Sequence, residues 1–401
     1  MKILKGGITA VPGILAAGMA TGIKKTNAPD LALIVSECEA RAAGVLTRNK
    51  VVAAPILLAR ERLRRGKARA ILVNSGNANA CTGRQGYDDA VEMAALAAKA
   101  LGVSAKDVLV GSTGVIGKHL PMDRIRAGVP ILARNLRREG GEDAARAIMT
   151  TDTTLKMAAV EDTIGGHPVT LGGIAKGSGM IHPHMATMLA YLATDAKVSH
   201  AVLQRGLREA TERSFNRIPV DGDTSTNDMV LCLANGLAGN RPIAKDGADA
   251  RRFQALLDQV CSELAKAIAR DGEGATKFVE LVVRGARTTA EALRVANTVA
   301  TSSLVKTAWF GEDANWGRIM AAIGRTGVRI IEDRIGIAYG DAAVVRRGLG
   351  LGQAAEEHAN AVLKRREFTL TVDLGLGHAT ATVWTTDLTT DYVKINASYR
   401  S

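Results

Sequence analysis

The sequence predicts an α/β protein, and three observations carry that prediction. Segments that read as buried strands alternate, through the first half, with segments whose apolar residues recur at helical spacing. There are 42 glycines but only 3% aromatic residues, so small side chains allow helices and sheets to pack closely. The chain is 47% hydrophobic with charges mixed in sign, which suits a large folded core and not a disordered chain. At 401 residues, two lobes are expected, without a linker, repeat or low-complexity segment between them.

The elements follow in order. Lys2 and Lys5 precede "ITAVPGILAAGMATGI", which resembles a signal peptide only superficially. Pro12 and the glycines break its apolar run, so it reads as a first strand and turn. "LALIVS" (31–36) reads as a buried strand. "VVAAPILLARERLRR" reads as a helix with Pro55 in its first turn, where the missing N–H costs nothing. "AILVNSGNANACTG" is a strand entering a polar loop, "DDAVEMAALAAKALG" a helix with a glycine stop, and "DVLVGSTGVIG" a strand entering a glycine-rich turn. "HPVTLGGIAKGSGMI" reads as a hairpin edge leading to a strand around Thr187. In the second half, "SHAVLQRGLREATERSF" is an amphipathic helix capped by Ser199. "MVLCLANG" and "KFVELVVRGA" are strands that flank the helix "RRFQALLDQVCSELAKAIARDG". "TAEALRVANTVATSSLVKTAWFG" reads as one helix running into a loop, "EFTLTVDLGLGHATATVWTTDLT" as two antiparallel strands, and "VKIN" as a strand.

Composition narrows the function. The net charge is +12. Nucleic-acid binding would favour a basic stripe with aromatics to stack on bases. The one dense cluster, "ARERLRRGKAR" (59–69), falls at a helix C-terminus, where the macrodipole favours cations, and reads as a solvated helix end. Cys38, Cys81, Cys232 and Cys261 show no CxxC spacing, which argues against zinc and for a reducing cytoplasm. No run is long and apolar enough to cross a bilayer. His182 and His184 would share a face on a strand, but a metal needs three or four converging ligands, so no metal is expected.

Four polar glycine-rich loops, "NSGNANACTG", "GSTGVIG", "GDTSTND" and "KGSGM", sit at predicted strand ends, where active sites collect. None fits GxxxxGK[ST] or GxGxxG, so nucleotide binding is not indicated. Thr187 lies in the apolar run that follows "KGSG". A buried Thr often only bonds a neighbouring strand. Alternatively, its Oγ attacks the carbonyl of Ala186, and water cleaves the resulting ester. The chain that then begins at Thr187 has an α-amine of reference pKa about 7.7–8.0, able to act as base for its own hydroxyl. The tetrahedral intermediate needs an oxyanion hole, for which the Thr113 hydroxyl and the Gly114 N–H are candidates.

These segments resemble the ornithine acetyltransferase (ArgJ) family. "KGSGMIHPHMATMLA" is similar to its autoprocessing segment. "GGITAVPGILAAGMATGIKK", "NSGNANACTG", "GSTGVIG", "TTDT", "PVDGDTSTND", "VKTAWFGEDANWGRI" and "DYVKINASYRS" follow in family order. The resemblance implies acetyl transfer from N2-acetylornithine to glutamate in arginine biosynthesis, with acetyl-CoA as an additional donor in some members and no bound cofactor. It implies a layered α/β/β/α fold with mixed sheets, in the class of the DmpA aminopeptidases. It also implies cleavage at Ala186-Thr187 into an α chain (1–186) and a β chain (187–401), forming one interlocked catalytic unit, assembled as an α2β2 heterotetramer in the cytoplasm. Thr187 matches the nucleophile, and Thr113 and Gly114 the oxyanion hole. Thr150, Lys176, Thr187, Glu273, Asn396 and Ser401 match substrate-binding positions, with Thr151 left open as the alternative to Thr150. Lys176 suits a substrate carboxylate and Glu273 a substrate amine. Ala314 departs from the family's usual Pro, and His184 from Asn or Asp. An amidase or aminopeptidase using the same nucleophile is the alternative enzyme, and a nucleic-acid-binding protein the alternative of another class.

Overall fold

The computed structural model describes residues 1–182 and 188–398. The N-terminal segment forms β1 (Lys2–Leu4) and β2 (Ile14–Met19), separated by a short 3-10 turn. β3 (Leu31–Leu46), α1 (Ala54–Leu63), β4 (Lys67–Asn77), α2 (Gly83–Leu101) and β5 (Val108–Val115) follow. Next come α3 (Met122–Arg134), α4 (Gly141–Ile148), β6 (Lys156–Ile164), β7 (His167–Lys176) and β8 (Leu189–Thr194). α5 (His200–Arg213), β9 (Met229–Ala234), α6 (Ala248–Arg270) and β10 (Phe278–Ala286) lead into three helices, α7 (Thr289–Ala300), α8 (Ser303–Phe310) and α9 (Trp316–Gly324). The chain ends with β11 (Gly336–Tyr339), β12 (Ala342–Arg346), β13 (Leu349–Gly350), α10 (Gln353–Leu363), β14 (Glu367–Asp373), β15 (Ala379–Thr386) and α11 (Thr390–Ser398).

The local signals act as the sequence suggests. Pro55 occupies the first turn of α1. Gly102 ends α2 at φ 66°, and Val103 N–H closes the turn on Ala98 O. Ser199 Oγ accepts from Val202 N–H at the start of α5, a cap of the kind that contributes about 1 kcal/mol.

β3 is much longer than the six residues expected. A bulge between Val35 and Ala40 bends it. Its first half pairs with β2, its second half with β9, and β4 runs along the other side. The bend folds a nine-stranded mixed sheet, in the order β1-β6-β7-β8-β9-β3-β4-β5 with β2 beside β3 off that path, over on itself. Alternating residues of each strand show the result. In β9, Val230 and Cys232 join the buried cluster with α5 and α6, while Met229, Leu231 and Leu233 face inward. The inward cluster also contains Ile34, Ile71 and Val73 of β3 and β4. The opposite faces of those strands, with Leu33, Leu72 and Val110, pack on α2 and α3. The layers are therefore helix, sheet, sheet, helix, as the family resemblance implies. They are close: a Cβ on Gly111 of β5 would lie 2.2 Å from Tyr191 Oη of β8.

A second, six-stranded sheet has the order β13-β12-β11-β14-β10-β15. It packs against α7, α9 and α10, and its Phe278 and Trp384 enter the cluster beneath α5 and α6.

Several expectations need correction. β7 is no edge: it lies between β6 and β8. β14 and β15 do not pair with each other, because β10 sits between them, parallel to one and antiparallel to the other. The segment after Thr289 is two helices, broken where Ser302 turns extended (ψ 111°). "VKIN" is helical within α11, which Thr389 Oγ1 caps by accepting from Tyr392 N–H at 3.1 Å. The basic cluster 59–69 is only partly solvated: Arg62 is buried and donates to Val108 O, and Arg69 Nε donates to Ser36 O at 3.0 Å. Ala314 N–H donates to Asn360 Oδ1 at 2.7 Å, a bond that Pro cannot make.

Candidate active site

The strand ends that the fold brings together carry the polar loops. β4 and β5 run parallel, and Thr113 and Gly114 lie at the end of β5 beside Ser75 and Gly76. Gly114 has φ 133°, and a Cβ there would lie 2.3 Å from Gly76 C and 2.5 Å from Asn77 N. Only glycine fits that approach. Thr113 is buried. Asn227, in the loop entering β9, holds the neighbouring loop: its Nδ2 donates to Ala78 O at 2.6 Å and to Ser112 O at 2.9 Å.

Lys176 ends β7, where it pairs in register with Leu189 at the start of β8. The chain thus re-enters the sheet at Leu189, beside Lys176. The lysine is almost fully buried and donates from Nζ to Thr150 Oγ1 at 2.6 Å. Burial pushes its ammonium pKa down, and the Asp152 charge opposes that. Glu273 follows α6, and its N–H donates to Ser178 O at 3.0 Å. Its Oε2 accepts from Asn396 Nδ2 of α11 at 2.9 Å.

One pocket is lined by Thr113, Gly114, Thr150, Lys176, Glu273 and Asn396, residues read from five separate segments. Thr151 lines it too, so both members of that pair reach the space, while Thr150 holds the bond to Lys176. Ala186 and Thr187, expected from the sequence as the cleavage pair, lie outside the described residues together with His184 and the terminal Ser401. Among the described residues no cluster of His, Cys, Asp or Glu is suited to a metal. No helix is long and apolar enough to cross a membrane among the described residues.

Sequence reasoning gave no role to several residues found here. Ser225, Thr226 and Asn227 line the pocket from "PVDGDTSTND". Asp228, next in line, is fully buried, and its Oδ1 accepts from Met188 N–H at 3.0 Å. Burial pushes its carboxyl pKa well up, opposed by the Met188 N–H, the Thr47 hydroxyl and the Lys176 charge. The available signal was an acid and an amide set in a hydroxyl-rich loop immediately before an apolar strand. Gly179 is another: a Cβ there would lie 2.2 Å from Glu273 Oε2. Because the obstacle is the tip of a flexible side chain, Gly179→Ala is expected to displace the Glu273 carboxylate and spare the fold. If the Glu273 carboxylate binds substrate, KM should rise about tenfold, the order of one charge-assisted hydrogen bond, with Tm nearly unchanged. Steady-state kinetics beside thermal melting checks this. An unchanged KM would mean that Glu273 does not bind substrate.

Comparison with known proteins shows what the chain as a whole is similar to. The ArgJ family profile matches residues 15–401. A protein of Symbiobacterium thermophilum named arginine biosynthesis bifunctional protein ArgJ is 54% identical over 404 residues, covering 100% of both chains. Its namesake from Geobacter sulfurreducens is 52% identical, covering 98% of this chain and 100% of its own. Among solved structures, an ornithine acetyltransferase of Mycobacterium tuberculosis complexed with ornithine is 43% identical, with TM-score 0.43, covering 45% of this chain and 97% of its own.

Proposed function

This chain belongs to the ArgJ family, and from that premise we propose that it is an N-acetyltransferase of arginine biosynthesis, moving acetyl from N2-acetylornithine to glutamate. The carrying observation is the single pocket in which Thr113, Gly114, Thr150, Lys176, Glu273 and Asn396 meet. A substrate that is an α-amino acid brings a carboxylate and an amine, and the pocket offers Lys176 to the first and Glu273 to the second.

The reaction runs in two half-reactions. Processing comes first: Thr187 Oγ attacks the Ala186 carbonyl carbon, the Ala186-Thr187 C–N bond breaks, and the leaving nitrogen takes the hydroxyl proton to become a free amine. Water then hydrolyses the ester, leaving Thr187 as a free N-terminus. In transfer, the α-amine takes the Thr187 hydroxyl proton while Oγ attacks the acetyl carbonyl of acetylornithine. The Thr113 hydroxyl and Gly114 N–H take up the oxyanion. The amide C–N bond breaks, ornithine leaves with the proton, and acetyl remains as an ester on Thr187. The glutamate amine then attacks that ester, the C–O bond to Thr187 Oγ breaks, the proton lost by the amine returns to Oγ, and N-acetylglutamate leaves. Ser401 and Asn396 complete the substrate contacts. Water must be excluded from the ester, which a closed pocket achieves.

Acetyl-CoA serves as a second acetyl donor, and no bound cofactor takes part. The α chain (1–186) and β chain (187–401) stay together as α2β2 in the cytoplasm. The free state of Cys38, Cys81, Cys232 and Cys261 supports a reducing compartment. The test is a transfer assay with glutamate as acceptor and acetylornithine or acetyl-CoA as donor. Acetylglutamate from both donors is expected. Release of free acetate without acetylglutamate would mean an amidase instead.

A further inference from the structure

A buried charge network lies behind the pocket wall. Asp152 Oδ1 accepts from Lys156 Nζ at 2.7 Å and from Gly177 N–H at 2.7 Å. Its Oδ2 accepts from Thr150 N–H at 3.0 Å and lies 3.8 Å from Lys176 Nζ. Lys156 Nζ also donates to Asp271 Oδ2 at 2.5 Å, and both its side chain and that of Asp152 are fully shielded from solvent. Asp271 in turn accepts from Thr153 N–H at 2.9 Å and Thr154 N–H at 3.2 Å, and its backbone O accepts from Ser178 Oγ at 2.6 Å.

Two carboxylates and two ammoniums are thus joined where burying either sign alone would be costly. Three loops end on them: the Thr150 loop, the Lys176–Ser178 turn and the Asp271–Glu273 turn. Each of the three carries a residue of the pocket. We propose that Asp152 is a positioning residue for acetyl transfer. It holds Thr150 and Lys176 in their mutual bond and keeps Lys176 charged for a substrate carboxylate, with Lys156 and Asp271 extending that grip to the Glu273 turn. The inference rests on the acetyltransferase reading of the pocket.

The charges that act on Lys176 come from several elements. Asp152, Glu273 and Asp228 raise its pKa, and Lys156 lowers it. Lys24, from the loop after β2, is coupled to it as well. Asp152 heads the charges in this group, and its own carboxyl is held low. Burial works to raise it, and Lys176 and Lys156 overcome that. Removing the Asp152 charge therefore lets burial lower the Lys176 pKa further.

The test is Asp152→Asn, with pH profiles of acetylornithine–glutamate transfer. The alkaline limb of kcat/KM should move down by about one pH unit or more, the usual effect of losing an opposite charge at such range. KM for glutamate should rise about tenfold, while kcat changes less. An unmoved limb with only a lower Tm would reduce Asp152 to a structural residue and overturn the proposal. Should Asp152→Asn fail to fold, the wild-type protein itself supplies the test. Competitive labelling with acetic anhydride, read at the Lys176 peptide by mass spectrometry, follows its protonation in the wild-type protein without using turnover. A Lys176 that is already neutral at pH 7 sinks the proposal. Absence of transfer from the wild type with any donor instead sinks the acetyltransferase reading.

Discussion

Thr187→Ala is expected to purify as one uncut chain and to lose transfer by about 10,000-fold or more, the scale seen when a covalent nucleophile is removed. The two losses share one cause. Without Oγ there is no attack on Ala186, and no site for the acetyl ester. Without the cut there is also no free α-amine, so the base disappears with the nucleophile. Thr187→Ser keeps a hydroxyl and should be cut and retain measurable transfer. Denaturing gels and the two transfer assays check both variants. An uncut wild type, or a Thr187→Ala protein that is cut, would remove Thr187 from processing.

The second large effect is expected at Thr113. Thr113→Val keeps the volume and branching of a buried residue on β5 and removes one hydroxyl. Loss of one oxyanion donor costs about 100- to 1,000-fold in kcat. KM should hardly move, because the interaction forms only in the transition state. The same oxyanion forms during processing, so cleavage at Ala186 should slow in parallel. Time courses of cleavage and kcat measured on fully cut protein separate the two steps. A variant that transfers at the wild-type rate would place the oxyanion elsewhere.

The layered fold was legible in the sequence where the signal is local. Alternation of apolar strands with capped helices placed most of the folded-over sheet, and Pro55, Gly102 and Ser199 act where their chemistry says they should. What escaped depends on distant partners. Nothing near Val35 announces that β3 bends there and carries two different strands on one side. α3 carries Gly128 and Pro130 in its interior, residues that ordinarily disfavour a helix, and burial of Ile125, Val129 and Leu132 sustains it through them. β14 and β15 alternate as a hairpin would, yet β10, about ninety residues earlier in chain order, inserts between them. In α11 the β-branched Val393 and Ile395 suggest a strand, and the Thr389 cap overrides them.

The site divides along the same line. Thr113, Gly114, Lys176 and Glu273, which line one pocket, were legible from short polar segments and from the family resemblance. The groups behind them were not, since their partners are remote in sequence. Asp152 and Lys156 are four residues apart, but Thr153 meets Asp271 across 118 positions. Asn227 bonds both the loop after β4 and β5 itself, which no local spacing reveals.

The most direct test of the central claim is the intact mass of the wild-type protein after brief exposure to N2-acetylornithine with no glutamate present. The account predicts two fragments divided at Ala186-Thr187, with the second carrying one added acetyl group at Thr187 that disappears when glutamate is supplied. A protein that turns over yet shows one uncut chain, or cut chains that never gain the acetyl group, would contradict transfer through acetyl-Thr187.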